Sequence, residues 1–476
     1  MLSKLKHILL PAVMILGGTV LSIAQETQGL SLGDAIKMAL QNNTNMLNSK
    51  LDLQIARKKI EEVTATGLPH IDAKSAYQHL FIVPVLNFPG TQLSDTRVPF
   101  DSKTSLGTIS ELQLSTGENI YLNNIAGAPI QLGIKDNVST DITVSQLIFS
   151  GSFLIGLQAT KVYFNLTKQN DEKTRLDIIE TVVNTYHMIQ LAQESRGILA
   201  QNLENINKTL SEILEMQKQG FVEKTDVDQL DVTANNVRNA INQIDSNLDM
   251  GNRLMKIQLG LEDTVTIALT DSTESGDSLI RSSMQLVTEQ FNENQNVDYK
   301  LMKTMEDLAG LDLKLSKSKF LPTISGFYNH NYQLNSPGFN FVPKDLIGIN
   351  LSLPIFSSGE RLAVVSQKNM ALRKARNSRE FVSRSLAMEA SQCRNDVKLK
   401  LERYLNQKKS KELSDEIYQR TLEKYKQGMS SSMDLMNSQN QYLTNLTNYY
   451  QSIYDLQGAK SKLEKLLNIN QDTGGK

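Results

Sequence analysis

Two stretches of this chain, Ser152 to Gly220 and Gly359 to Gly428, contain no proline and keep their apolar residues at helical spacing throughout. Each is roughly 67 residues long, which at about 1.5 Å per residue is a rod near 100 Å. Globular helices average about 11 or 12 residues. Rods of that length need partners along their whole side, and the mixed Lys, Glu, Gln and Asn faces suit a coiled-coil-like tube with water against it. Both runs end on a glycine, where a helix C′ residue turns left-handed. The chain then returns as Thr225 to about Gly260 and as Ser431 to about Asn468. Each run is therefore one arm of a long helical hairpin, with tips at about Gly220 and Gly428.

The tips are copies of each other. "KQGFVEKTDVDQL" (Lys218 to Leu230) aligns with "KQGMSSSMDLMNS" (Lys426 to Ser438), glycine on glycine and Asp226 on Asp434. The echo extends upstream, where "VSQLIFSGSFLIGLQA" (Val144 to Ala159) parallels "LSLPIFSSGERLAVVS" (Leu351 to Ser366). Further back, "GLPHIDAKSAYQ" (Gly67 to Gln78) parallels "FLPTISGFYNHNYQ" (Phe320 to Gln333), aligned on Pro69 and Pro322. A repeat of this length sets the fold, because each copy must form the same unit. Each half reads helix, strand, loop, strand, long helix, turn, helix. The first half carries roughly 46 extra residues between Leu80 and Thr140, in a loop rich in Pro, Gly, Asn, Thr and Ser.

Strand character is clearest in "LIGINLSLPIF" (Leu346 to Phe356), where Ile347, Ile349, Leu351, Leu353 and Ile355 alternate with small or polar residues. Period two with one greasy and one small polar face suits a lipid-facing strand with a wet lumen. "TDITVSQLIF" (Thr140 to Phe149) alternates less cleanly and "HIDAKSAYQ" weakly. Strands are expected at about 70–80, 140–149, 323–333 and 346–356. The opening helix begins at "SLGDAIKMALQNN", with Ser31 and Asp34 as a capping pair. Its partner is expected from about Ser283 to Phe320. "LEDTVTIALTDSTESGDS" (Leu261 to Ser278) joins the halves as a small strand-and-loop belt. The domains are a signal peptide over 1–24, a first repeat over 25–265 and a second over 266–476.

The signal reading rests on Lys4 and Lys6, the apolar run from Ile8 to Val20, and the small-x-small site Ser22-Ile23-Ala24. Beyond residue 24 nothing approaches the apolar length of a membrane helix, and the mean hydropathy is −0.30. A mature chain that crosses a membrane must then use a barrel, the other structure that satisfies every backbone group. Fifty basic against 51 acidic residues offer no basic patch for nucleic acid. The lone Cys393 forms no internal disulfide and is a packing residue.

No catalytic or metal constellation emerges, and no cofactor is called for. His70, His79, His187 and His330 lack metal-ligand spacing, and no phosphate loop, GxSxG elbow or CxxC pair is present. His70, His79 and His330 read as rim residues of the strands. Asp226, Asp228 and Asp231 read as a solvated helix face. Phe81, Phe88, Phe100, Tyr328, Tyr332, Phe339 and Phe341 cluster around the strand loops and suit either an aromatic girdle or loop packing.

Taken with its order of elements, the paired glycine-to-aspartate tips (Gly220…Asp226-Val227 and Gly428…Asp434-Leu435) and the "IFSG" and "IFSSGE" turns, the chain resembles the TolC family of outer-membrane efflux and secretion ducts. The resemblance covers nearly the whole mature chain. It implies an α+β membrane protein: a homotrimer with a 12-stranded outer-membrane β-barrel continued by a 12-helix tunnel in the periplasm. It also implies a passive conduit rather than an enzyme, set in outer-membrane lipid of a Gram-negative cell. Its partners would be a periplasmic adaptor and an inner-membrane pump of the RND, ABC or MFS type, with no nucleic acid.

By the same resemblance, Asp434 matches a residue lining the periplasmic entrance, and Asp226 and Tyr425 match residues that hold the tip shut. Gly220, Phe221, Val222, Gly428, Met429 and Ser430 match the tips that dock the adaptor. Two positions depart from the family pattern: Ser430 stands where an arginine pairs with the first tip aspartate, and Asn437 where a second entrance acid lies. The alternative function, from another class, is a secreted or surface coiled-coil adhesin or scaffold with a small soluble sheet.

Overall fold

The structure is a computed structural model that describes residues 27–86, 112–113, 119–120, 130–131, 133–271, 276–335 and 342–469. The signal segment, much of the first strand loop, and Phe88, Phe100, Phe339 and Phe341 lie outside the described residues. The chain divides into two units. One comprises residues 1–57, 162–308 and 372–476, the other residues 58–161 and 309–371.

In chain order the elements are β1 (Thr27–Leu30), α1 (Leu32–Asn42), α2 (Thr44–Ala65), β2 (His70–His79), β3 (Val85–Leu86), β4 (Leu112–Gln113), β5 (Asn119–Ile120), β6 (Ile130–Gln131), β7 (Asp136–Ser150) and α3 (Gly151–Lys218). They continue as α4 (Lys224–Leu259), β8 (Thr266–Leu269), α5 (Gly276–Thr288), α6 (Val297–Ser318), β9 (Thr323–Gln333), β10 (Asp345–Ser352), α7 (Glu360–Lys426) and α8 (Ser432–Leu467). The two long helices run 68 and 67 residues without a break.

The first unit is helical, apart from one small ladder. There β1 pairs in parallel with β8, Leu30 opposite Leu269. The linker belt is thus a strand, and its partner is a four-residue segment at the start of the described chain. Tyr186, 1% exposed, ties this ladder to α3: its hydroxyl donates to the Leu30 carbonyl at 3.1 Å and accepts from Asp271 N at 3.4 Å. The capping pair forms as expected, with Asp34 N donating to Ser31 Oγ at 3.1 Å. Around it Leu30, Ala35, Ile36, Ala39, Val182, Met255 and Leu259 make one apolar core. A second core joins α5, α7 and α8 and takes in buried Cys393, as expected of a packing thiol.

One helix differs from expectation. The run from Ser283 to Phe320 is two helices, because Thr288 ends α5 and α6 begins only at Val297. The break has a physical cause in its asparagines. Asn296 Oδ1 accepts from Asp298 N at 2.9 Å and Tyr299 N at 3.2 Å, capping a fresh N-terminus. Asn292 Oδ1 accepts from Asn294 N at 3.1 Å in the turn before it.

The second unit holds a four-stranded antiparallel sheet in the order β10-β9-β7-β2. Two minor ladders, β3 with β6 and β4 with β5, belong to the first strand loop. Residues paired directly across neighbouring strands share a face. The register therefore puts Ile71, Ala73, Ile142, Val144, Tyr328, Ile347, Ile349 and Leu351 on one face. The opposite face carries Asp72, Lys74, Gln78, Asn137, Asp141, Thr143, Asn329, Asn331 and Asn350. Ile71, Ile347, Ile349 and Leu351 are 66–82% exposed, so the apolar face has no cover among the described residues. The polar face is instead laced internally, by Asn331 to Asp141 at 2.7 Å and Asn329 to Thr143 at 2.9 Å.

Two strand boundaries shift. β7 begins at Asp136 rather than 140, lengthening its pairing with β2. β10 stops at Ser352 rather than 356, since Pro354 has no N–H to donate and disfavours a regular continuation. Leu353 and Ile355 keep the alternating pattern without the ladder, ahead of a turn where Ser358 and Gly359 both have positive φ.

Candidate functional site

The two hairpin tips are built by one device, written twice. At the end of α3, Gly220 adopts φ +82; its N–H reaches the Gln217 carbonyl at 2.9 Å, and Phe221 N–H reaches Met216 at 3.0 Å. At the end of α7, Gly428 adopts φ +72; its N–H reaches Tyr425 at 3.0 Å, and Met429 N–H reaches Lys424 at 2.8 Å. Both are Schellman closures, in which the last carbonyls of a helix are satisfied by a left-handed C′ residue. A Cβ added at either glycine would meet no atom within 4 Å. Glycine is needed here for its backbone and not for room.

The returning helices start differently. α8 is fully capped: Ser431 Oγ accepts from Asp434 N at 3.1 Å, and Ser431 N and Oγ donate to Asp434 Oδ2 at 3.2 and 2.7 Å. Ser430 Oγ lies 3.4 Å from the same oxygen. The Ser431 hydroxyl, followed by its amide, holds the Asp434 carboxyl below the ordinary carboxylate range. In α4 the cap position is Glu223, with no side-chain cap bond. Asp226 occupies the position equivalent to Asp434 but turns to the other hairpin, where its carboxylate accepts from the Ser432 hydroxyl. Gln229 Oε1 lies 3.0 Å from that same hydroxyl.

Thus the structure brings Asp226 and α8 together, whereas Ser430, which stands at the family's arginine position, turns to Asp434. Ser432, four residues after Gly428 and uncharged, makes the contact that a cation two residues after Gly428 would make. Its signal in the sequence is a hydroxyl on the first turn of α8. Tyr425 is partly buried, and desolvation, then the negative charge of Asp226, holds its hydroxyl above the ordinary phenol range. Asp228 and Asp231 are exposed, as a solvated face requires.

Phe221 and Met429 are 75% and 66% exposed at the two turns. Val222, by contrast, packs with Tyr425 against the core of Ile213, Val227, Leu230, Tyr418, Leu435 and Tyr442. Behind the tips Tyr418 and Tyr442 stack with centroids 5.7 Å apart, and Gln439 donates to Asn202 at 3.1 Å. The tip is therefore a packed four-helix end that displays two apolar side chains on glycine turns. It holds one carboxylate in a hydrogen bond from a hydroxyl of the other hairpin and another in its own cap. Among the described residues no group of three His, Cys, Asp or Glu could hold a metal ion. No helix of the described residues is long and apolar enough to cross a membrane.

Residues 301–468 match the family model described as "Outer membrane efflux protein". The chain is 22% identical over 302 residues to "Outer membrane protein TolC" of Vibrio cholerae serotype O1, a match spanning 61% of this chain and 66% of that relative, just under two thirds of its length. Its fold is similar to the crystal structure of the outer membrane protein VceC from Vibrio cholerae, with a TM-score of 0.68 at 13% identity over 92% of this chain and 95% of that one. It is also similar to the CmeC outer membrane channel of Campylobacter jejuni, with a TM-score of 0.67 at 17% identity over 92% of this chain and 85% of that one.

Proposed function

Because residues 301–468 match the outer membrane efflux protein model and the fold is similar to that of solved outer-membrane channels, we propose that this chain is an outer-membrane channel-tunnel, a passive conduit and not an enzyme. The observation that carries the reading is the sheet. It has one exposed apolar face, one polar face, and edge strands β2 and β10 that pair on one side only among the described residues. An apolar sheet face open to water is unfavourable, and an open edge is a template for another chain. Closing the edges on further copies, with the apolar face in lipid, removes both liabilities at once. With a trimer, four strands a copy make a 12-stranded barrel, and four long helices a copy make the 12-helix tunnel of the periplasmic part. β2 and β9, at 10 and 11 residues, have the length of tilted membrane strands.

In this reading the tips are the periplasmic mouth. Asp226, Tyr425 and Asp434 are its gate, held closed by the Asp226–Ser432 hydrogen bond where an ion pair would otherwise serve. Gly220, Phe221, Val222, Gly428, Met429 and Ser430 dock a periplasmic adaptor, which couples the duct to an inner-membrane pump. Phe221 and Met429 are the apolar anchors, and Val222 supports them from inside. The adhesin alternative has no support in the relatives, which are outer-membrane channels.

The test is fractionation and crosslinking. The chain should partition with outer-membrane lipid and need detergent. Cysteines at Lys74 in β2 and Asn350 in β10, both on the polar face, should link neighbouring copies into a covalent trimer in a Cys393→Ala background. A detergent-free monomer that gives no crosslink would refute the reading.

A further inference from the structure

The polar face of the sheet carries one apolar spot. In register, Phe327 of β9 faces Ser145 of β7 on one side and Gly348 of β10 on the other. On the same face Leu147 lies two residues beyond Ser145, and Leu346 two residues before Gly348. Both are diagonal neighbours of Phe327, within reach of an aromatic ring. Among the described residues of the four strands, no other apolar side chain larger than alanine lies on this face. Phe327 is partly buried, and Leu346 is 46% exposed.

Gly348 makes room for the ring. A Cβ there would stand 2.6 Å from Cζ and 2.7 Å from Cε1 of Phe327, so the far edge of the ring fills the space over the glycine. A glycine inside a strand weakens it and marks a close approach. An aromatic ring on the wet side of a barrel also forgoes the lipid that covers such residues on the other face. Charge on this face is unbalanced as well. The next rung toward the strand loops runs Asp72, Thr143, Asn329, Leu346, and the one after it pairs Lys74 with Asp141. Two carboxylates against one ammonium leave one negative charge per chain, and a wall with surplus carboxylates favours cations.

We propose that Phe327, laid over Gly348 between Leu147 and Leu346, is a contact on the pore wall for the aromatic ring of an organic cation in transit. Asp72, in the adjoining rung, supplies the negative field. The proposal rests on the channel reading above, in which this face lines the pore. Aromatic rings attract one another in offset or edge-on geometry, and a cation near a ring adds to the attraction. One such contact per chain is weak, as a conduit requires, because cargo must leave as readily as it enters.

The test records single channels of the full-length reconstituted protein and reads the dwell time of blocking events. The probes are tetraphenylphosphonium, tetrabutylammonium (same charge, no rings) and tetraphenylborate (same rings, opposite charge). In wild type, tetraphenylphosphonium should dwell about fivefold longer than tetrabutylammonium. F327A should bring the two cations level while the trimer remains, and F327L should do the same should F327A fail to assemble. F327Y keeps the ring and should keep the difference. G348A retains Phe327 but puts a methyl where its ring lies, and should shorten the tetraphenylphosphonium dwell. D72N should narrow the margin of tetraphenylphosphonium over tetraphenylborate. Equal dwell of the two cations in wild type overturns the proposal, as does an unchanged difference in F327L. Equal dwell of tetraphenylborate and tetraphenylphosphonium in wild type overturns the assignment to a cation. Absence of conductance steps overturns the channel reading and this site together, whereas steps without the aromatic preference overturn this site alone.

Discussion

Replacing Gly428 by alanine isolates the energetics of a tip. The residue sits at φ +72 with open space where a Cβ would project, so no clash adds to the backbone term. A left-handed conformation costs a residue with a Cβ about 1–2 kcal/mol, and the net loss at such a cap is about 1 kcal/mol. The hydrogen bonds at stake are Met429 N–H to Lys424 at 2.8 Å and Gly428 N–H to Tyr425 at 3.0 Å. One kcal/mol multiplies the local opening equilibrium about fivefold. Native-state hydrogen exchange of the Met429 amide should therefore quicken about fivefold in G428A, with no change in the stacked Tyr418–Tyr442 region behind it. Asparagine tolerates the left-handed region better, so G428N should fall between. Unaltered exchange at Met429 in G428A, or equal effects of alanine and asparagine, would refute the capping account. G220A should behave alike at Phe221, whose N–H closes on Met216 at 3.0 Å.

Other perturbations separate the two helix starts. Ser431→Ala removes the cap of α8 and should cost about 1 kcal/mol, read as faster exchange in its first turn. Because hydrogen bonds hold the folded Asp434 carboxyl below its ordinary range, its contribution should be complete above that range and lost as pH falls below about 4, an effect absent from D434N. Ser432→Ala frees Asp226, and in planar bilayers it should raise the open probability of the duct without altering trimer yield. Paired F221S/M429S should weaken crosslinking to an adaptor and leave barrel and trimer intact; normal crosslinking would make these residues plain turns.

Much of this architecture is legible in the sequence because its signals are local. Unbroken 3.6-residue periodicity gave the two long helices, and two glycines gave their ends. Alternation at Ile347, Ile349 and Leu351 marked β10, although its end hung on Pro354. What stayed hidden is non-local or offset. β1 is four residues whose only reason to be a strand is β8, far along the chain. The break before α6 depends on asparagine caps inside a run that otherwise looks helical. In an alignment on Pro69 and Pro322 Tyr77 is out of step with Tyr328, so the matching pairs His79 opposite Asp136 and His330 opposite Asp345 show only in the strand registers. At the tips, the group that meets Asp226 is the hydroxyl of Ser432 and not a charge.

The central claim is that β2, β7, β9 and β10 wall a water-filled pore with their polar face inward. Single-channel recording of the reconstituted protein, with cysteines placed one at a time on each face and treated with a bulky charged thiol reagent, tests it most directly. Discrete conductance steps are expected; Lys74→Cys and Asn350→Cys should lose current on modification, and Ile349→Cys, on the apolar face, should not. Absence of steps, or block through Ile349→Cys with none through Lys74→Cys, would contradict it.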